Sequence, residues 1–361
     1  MRNFTCSCSN TVYFANTQCL SCQRPLGFIS ETGQLAAFDI GFNGTWYTAG
    51  DGEPYRPCAN YHTHNICNWM VREDDPNPLC RSCRLTKVIP DLSKPQNLER
   101  WFKMESAKRR LLYSLMTLGL PIWEPVEGKP ELAFHFMEDV TDDEYGQELT
   151  VKSTVVTGHN NGTITLNLKE AEDSSRIMMR EKMNERYRTL IGHFRHESGH
   201  FYWDWLIRGT RELASFRALF GDESINYPAA LKRYYDNGPI DDWQSCWISP
   251  YASSHAWEDW AETWAHYLHI VDTLDTAAYY GVAVADNRVT QPTSSRHCSF
   301  SQLYDDWCRL TTMLNGLNRS MGLDDAYPFV IPGPAQKKLE YIHELIKRSV
   351  TSSPTQNEAD G

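Results

Sequence analysis

The sequence has no long hydrophobic run. No stretch approaches the roughly 18 apolar residues needed to span a bilayer, and the opening MRNFTCSCSN lacks the apolar core of a secretory signal. A cytoplasmic location is therefore expected. A surplus of positive charge is also missing: 35 lysines and arginines against 46 aspartates and glutamates give a formal net charge of -11. Nucleic acids and anionic membranes are attracted by basic surfaces, so neither is expected as a partner. No internal repeat and no nucleotide-binding glycine loop is apparent. The 361 residues, 41% of them hydrophobic, suffice for one large domain with its own core beside a small one.

Cysteine is abundant and unevenly spread. Eight of the eleven lie within the first 83 residues, and Cys246, Cys298 and Cys308 are expected to be buried thiols or bystanders. In a chain without an export signal, clustered cysteines point to metal ligation rather than disulfides. The spacing is C-x-C (Cys6, Cys8), C-x2-C (Cys19, Cys22), two single residues (Cys58, Cys67), and a second C-x2-C (Cys80, Cys83). Eight thiolates make two tetrahedral sets, and short knuckles let backbone amides point at the sulfurs, which predicts a zinc ribbon.

Sequential pairing, 6/8/19/22 and 58/67/80/83, is the simplest solution. A crossed arrangement, or a site in which His62 or His64 replaces a cysteine, also satisfies the spacing. PLCRSC matches half of a nucleobase-deaminase signature, but the H-x-E half is missing upstream. Residues 1–90 carry seven basic and seven acidic side chains, and bound thiolates would add negative charge. A protein partner, or docking onto the rest of the chain, is expected for this ribbon in preference to nucleic acid.

Proline and turn residues in IPDLSKPQN (89–97) suggest a linker. After it, Leu98, Trp101, Phe102, Leu111, Leu112 and Leu115 recur at helical intervals up to Gly119, with Lys108, Arg109 and Arg110 read as a solvated face. ELAFHFMEDV (131–140) and KSTVVTGHNNGTITLNL (152–168) read as strands, and Asn161-Gly162 is a strong hairpin signal. Further helices are expected around Ser299 to Met313 and from Ala335 to Arg348, followed by a frayed tail.

The densest chemistry lies in HFRHESGHFYWDWL (193–206), which contains His196-Glu197-Ser198-Gly199-His200. On a helix, spacing of i, i+4 places both imidazoles on one face about 6 Å apart, within reach of one zinc ion. Glu197 is turned off that face by about 100°, so it can reach an activated water without itself coordinating. A third ligand is needed, and HAWEDWAETWAHYLH (255–269) places Glu258, Glu262 and His266 in one stripe on a tryptophan-rich helix. Acids within an apolar layer need a partner. Trp257, Trp260 and Trp264 are read as core, His193 as supporting or structural, and His255, His266 and His269 as structural, with His266 nearest the site.

Joined together, these motifs resemble gluzincin metallopeptidases, in which H-E-x-x-H is followed by a glutamate ligand on a second helix and an acid one turn later orients a ligating histidine. SPYASSHAWEDWAE also resembles the corresponding part of anthrax lethal factor. Over most of residues 1–270 the chain is similar to a bacterial family of zinc-binding metallopeptidases with an N-terminal zinc ribbon. The likeness runs through PCANYHTHNICNW, LCRSCRLTKVIPDL, ESAKRRLLYSLMTLGLP, GHFRHESGH and WEDWAETWAHYLH.

The resemblance implies His196, His200 and Glu258 as ligands of a catalytic zinc, Glu197 as the base that activates a zinc-bound water, Tyr251 as an oxyanion donor, and Glu262 as the acid that orients an imidazole. The eight clustered cysteines together with this site lead to an expectation of two structural and one catalytic Zn2+ ions, and the resemblance implies a peptide or protein as substrate. The fold expected is α+β: a zinc ribbon over 1–92, a mainly helical zincin-like domain with a small β-sheet over 93–349, and a flexible tail over 350–361. The competing expectation is a catalytically inactive zincin-like scaffold whose ribbon recruits a partner. Retention of Glu197 favours the enzyme, because a purely structural site has no need of a water-activating acid.

Overall fold

A computed structural model describes residues 2–142, 150–173, 189–284, 287–288 and 298–351. It falls into two compact units, one of residues 1–116, 122–124 and 131–191, the other of 117–121, 125–130 and 192–361. The expected tail lies, from residue 352 onward, outside the described residues.

In the first unit, β1 (Phe4–Thr5) and β2 (Thr11–Val12) form a short antiparallel ribbon whose turn carries Cys6 and Cys8. The turn closes because Ser9 adopts a left-handed backbone (φ 68°), and Gln23 does the same (φ 63°) just after Cys22. Next come β3 (Leu26–Ile29), β4 (Gln34–Ile40), β5 (Trp46–Thr48), β6 (Pro54–Pro57) and β7 (Met70–Arg72), paired in sequence order as an antiparallel sheet. Two short helices, α1 (Ala59–His64) and α2 (Arg81–Arg84), start directly after Cys58 and Cys80.

The long helix α3 (Pro95–Thr117) follows, starting on a proline, which suits a first helical turn. It shares an aromatic core with the cysteine-rich region: Tyr113 lies 5.2 Å from Phe14, which meets Phe28 at 5.0 Å, and Phe28 packs on Trp69 at 4.8 Å. The solvated reading of the Lys108-Arg109-Arg110 cluster is corrected here. Lys108 and Arg109 are buried, and only Arg110 is exposed. A buried acid explains it, since Lys108 Nζ lies 2.8 Å from Glu105 Oε2 and also donates to Ser82 O at 2.9 Å, while Arg109 donates to Ile66 O at 2.8 Å. Leu98 and Phe102 are exposed instead.

A mixed sheet completes this unit. Strands β8 (Thr86–Val88), β9 (Ala133–Met137), β10 (Val140–Asp142), β11 (Thr150–Ser153), β12 (Gly158–Asn160) and β13 (Thr163–Asn167) appear in chain order, and four of them pair as β12-β13-β9-β8. Strand β9 runs parallel to both neighbours. The hairpin between β12 and β13 turns at Asn161 (φ 44°) and Gly162 (φ 87°), the pair of left-handed residues that a two-residue primed turn requires.

Among the described residues the second unit is mainly helical, with α4 (Leu190–Leu206), α5 (Leu213–Phe220), α6 (Tyr227–Asn237), α7 (Ala256–Tyr279), α8 (Phe300–Ser320) and α9 (Gly333–Thr351), and one short antiparallel pair, β14 (Ala283–Val284) with β15 (Asn287–Arg288). Its core is aromatic. Trp264 stacks on Tyr202 at 4.9 Å and on Trp260 at 5.7 Å, and Phe216 and Phe220 meet Trp260 edge-on. The chain is thus α+β, a cysteine-rich β region followed by a mainly helical part with a small mixed sheet, as expected. No helix among the described residues is long and apolar enough to cross a membrane.

Candidate active site and metal centres

The eight N-terminal cysteines gather as Cys6, Cys8, Cys19 and Cys22 and as Cys58, Cys67, Cys80 and Cys83, with the sulfurs of each set within 4.8 Å of one another. That is the sequential pairing, and neither His62 nor His64 belongs to a group. Cys6 and Cys22 sulfurs are 3.6 Å apart, Cys8 and Cys19 3.7 Å, and Cys67 and Cys80 3.7 Å. A disulfide would require about 2.05 Å, whereas ligands about 2.3 Å from a tetrahedral zinc stand roughly 3.8 Å apart.

Backbone amides aim at the sulfurs. Cys83 N donates to Cys80 Sγ at 3.5 Å, Cys80 N to Cys58 Sγ at 3.3 Å, and Trp69 N to Cys67 Sγ at 3.4 Å. Burial pushes the Cys80 thiol well up, so its thiolate needs a cation close by. Of the three remaining cysteines, Cys298 is buried, Cys246 half-buried and Cys308 exposed.

The third group forms where α4 crosses α7. Its cause is visible in the sequence at Gly199: a Cβ there would stand 2.9 Å from Ala261 Cα and 3.2 Å from Trp264 Cβ. Only glycine lets the helices approach so closely. Trp260 Nε1 donates to Gly199 O at 2.8 Å and Trp264 Nε1 to Ser198 Oγ at 3.1 Å, so the two fully buried tryptophans fasten the crossing. Arg195 pairs with Asp272 at 2.6 Å farther along. His255 caps α7, accepting from Trp257 N at 3.1 Å through Nδ1 and donating to Ile225 O at 3.0 Å through Nε2.

This crossing brings together His196, His200 and Glu258, each offering an atom within 4.8 Å of the others. His196 Nε2 lies 3.0 Å from Glu258 Oε2, and His200 Nε2 lies 3.5 Å from Oε1. These separations bracket the roughly 3.4 Å between nitrogen and oxygen ligands of a tetrahedral zinc. Glu262 is one turn on, and its Oε1 meets His196 Nδ1 at 2.7 Å while Ser249 donates to Oε2 at 2.6 Å.

Those contacts test whether a cation fits. With Nδ1–H donated to Glu262, a neutral His196 would aim its Nε2 lone pair at a carboxylate oxygen of Glu258, and two electron-rich atoms cannot rest there without a proton or a metal between them. Where no metal is bound, a proton would have to take that place. Burial works against it, yet the two glutamates hold His196 well above its ordinary pKa, and the two histidines hold the buried Glu258 well below its own. A divalent metal can replace the proton, which makes the donor set a fit for zinc.

Glu197 is buried beside this group, and its Oε2 has no hydrogen-bond partner among the described residues. Burial raises its pKa, with the two histidines opposing. Tyr251 lies in a short 3-10 turn with its ring 6.0 Å from that of His196, and burial followed by the charge of Glu258 pushes its hydroxyl well up. His193 is half-buried and stands outside the converging group. His266 Nδ1 meets the Tyr327 hydroxyl at 2.7 Å, and burial pushes His266 down to about 4.

Three residues at the site were not anticipated as part of it. Tyr227, at the start of α6, donates to Glu258 Oε1 at 2.5 Å. Ser249 supports Glu262. Trp257, expected to be core, is half-buried and lays its ring 3.9 Å from that of His200. Trp257 carried the only usable signal, its place one residue before the glutamate. Tyr227 and Ser249 sit in no motif.

Comparison with known proteins agrees with this geometry. Residues 97–345 match a family described as "putative zinc-binding metallo-peptidase", and residues 3–94 match a zinc-ribbon domain. Uncharacterized proteins of Mycobacterium tuberculosis and Mycobacterium bovis are 41% identical over 352 residues, covering 96% of this chain and 95% of theirs. No solved structure matches.

Proposed function

This chain belongs to that family of zinc-binding metallopeptidases, and on that premise we propose that it is a zinc-dependent hydrolase of peptide or amide bonds, with His196, His200 and Glu258 as ligands and Glu197 as general base. When bound, zinc supplies Lewis acidity, polarising a carbonyl and making water a competent nucleophile near neutral pH. Glu197 accepts a proton from the attacking water and passes it to the nitrogen released when the C–N bond breaks. Tyr251 donates a hydrogen bond to the oxygen on which charge develops. Glu262 holds the His196 ring by its Nδ1, fixing the tautomer that leaves Nε2 for the metal. The two cysteine clusters hold structural zinc, and the ribbon, with its balanced charge, contacts a protein partner.

The observation that carries the reading is the Glu197 carboxylate: buried beside the ligand group, one oxygen uncommitted, and with no part in the convergence of ligands. A site that served only to brace the fold would gain nothing from a buried acid with an oxygen left unpaired. The test is cleavage of an unbiased peptide library by protein purified without added metal. Cleavage should disappear when a mild chelator removes one zinc per chain and return when zinc is restored. Cleavage that persists with that zinc gone contradicts the proposal, and no cleavage by fully loaded protein favours the scaffold.

A further inference from the structure

Glu258 is 1% exposed, so its two oxygens are shielded from bulk water. Their surroundings differ. Tyr227 donates to Oε1 at 2.5 Å, with His200 Nε2 farther from the same oxygen at 3.5 Å, while Oε2 faces His196 Nε2 at 3.0 Å. The phenol itself is held from several sides. Its ring is edge-on to His255 at 5.2 Å and to Trp257 at 5.6 Å. The residue before it, Asn226, caps α6 by accepting from Ala229 N at 2.9 Å, and the preceding carbonyl, Ile225 O, is bound by His255 Nε2 at 3.0 Å. The starts of α6 and α7 are thus tied together at two points, 225 to 255 and 227 to 258.

A carboxylate can bind a metal through one oxygen or through both, and a four-coordinate zinc with three protein ligands keeps its last position open only if each ligand takes one. We propose that Tyr227 is a positioning residue of the metal centre: its hydroxyl engages Glu258 Oε1, so that Oε2 alone is offered to the metal and one coordination position stays free for the reaction. This rests on the reading of the His196, His200 and Glu258 group as a zinc site. Outer hydrogen bonds of this kind typically govern metal affinity by about 10 to 100-fold.

Tyr227→Phe removes the hydroxyl and keeps the ring against His255 and Trp257, so it separates hydrogen bonding from packing. Titration of the holoprotein with dipicolinate, counting zinc released, should show one labile zinc per chain held about 10 to 100-fold more weakly in the variant than in the unaltered protein, with the cysteine-bound zinc unchanged. Replacing that labile zinc by cobalt(II) gives a second readout that packing alone would not move. The variant should show weaker visible absorption, because a second carboxylate oxygen raises the coordination number and makes the site less tetrahedral. Unaltered labile-zinc affinity and an unaltered cobalt spectrum in Tyr227→Phe overturn the role of Tyr227 while leaving the zinc site standing. Absence of any labile zinc in the unaltered protein overturns both.

Discussion

Two acids one turn apart on α7 take different parts, and the difference is set by what each oxygen touches. Glu258 faces both histidines through Nε2, whereas Glu262 reaches only the Nδ1 of His196 and is held from behind by Ser249. Glu258→Ala is therefore expected to abolish binding of the labile zinc, and Glu262→Ala to weaken it by about 10 to 100-fold, as losses in the supporting shell do. Zinc competition assays on both variants decide the order, and the reverse order would make Glu262 the ligand. Tyr251→Phe should keep its zinc and lose a smaller part of the hydrolytic rate than loss of the base, since one oxyanion donor is removed while the zinc that polarises the carbonyl stays. At this scale the sequence was readable where ligands share a helix: His196, Glu197 and His200 are fixed by the 3.6-residue period alone. Glu258 needed the resemblance, because its partner lies 58 residues upstream of it, 200 against 258. Tyr227 and Ser249 were unreadable, because isolated hydroxyls acquire a role only through tertiary contact.

At the scale of elements, the crossing of α4 and α7 decides whether a metal site exists at all. Gly199 is the point of closest approach, and a methyl group there meets backbone, which cannot yield as a side-chain tip can. Gly199→Ala should destabilise the protein by about 1 to 3 kcal/mol, the range of overpacked cores, and lose labile zinc in step, because separation of the helices pulls Glu258 away from the histidines. Urea unfolding together with zinc release measures both, and full zinc affinity in a Gly199→Ala protein would detach the site from the crossing. A second element matters in the cysteine-rich unit. Arg109 of α3 is buried and donates to Ile66 O beside Cys67, and against the effect of burial the charges of Cys67, Glu105, Cys83 and Cys80 raise its pKa. Its guanidinium offsets the negative charge of a four-thiolate site. Arg109→Met should make the 58/67/80/83 cluster release zinc faster to a thiol-reactive reagent than the unaltered protein does, with the 6/8/19/22 cluster unaffected. Equal release rates would assign Arg109 to packing alone.

Long helices were legible as elements: the pattern from Leu98 to Gly119 became α3 at 95–117, that around 299–313 became α8 at 300–320, and that over 335–348 became α9 at 333–351. Apolar residues on one face specify such helices locally. The Lys108-Arg109 pair reads as solvent-facing for a related reason, since charge on a helix points to solvent until the buried Glu105 and the buried carbonyls of Ser82 and Ile66 that await it are known. The five-stranded sheet was illegible. Its strands are three to seven residues long, and β3, buried at all four positions, has none of the alternation that marks a half-buried strand. What the cysteine spacing could not decide, the pairing of the two clusters, is settled by the turns at Ser9 and Gln23 and by the sheet that separates residue 22 from residue 58.

For the whole molecule, these sites predict three zinc ions per chain in two chemical populations, two bound by thiolates and released only when thiols are modified, and one released by a mild chelator. Elemental analysis with the two reagents applied in turn checks the count, and freely titratable N-terminal thiols in native protein would contradict it. The central claim, that the third site hydrolyses peptide bonds with Glu197 as base, is tested most directly by Glu197→Gln. The amide keeps the shape of the side chain but cannot take a proton from water. The variant is predicted to retain three zinc ions per chain while peptide hydrolysis falls by at least the roughly 10²-fold attributable to general base catalysis. Hydrolysis at the unaltered rate by zinc-replete Glu197→Gln, purified free of other proteases, would contradict it.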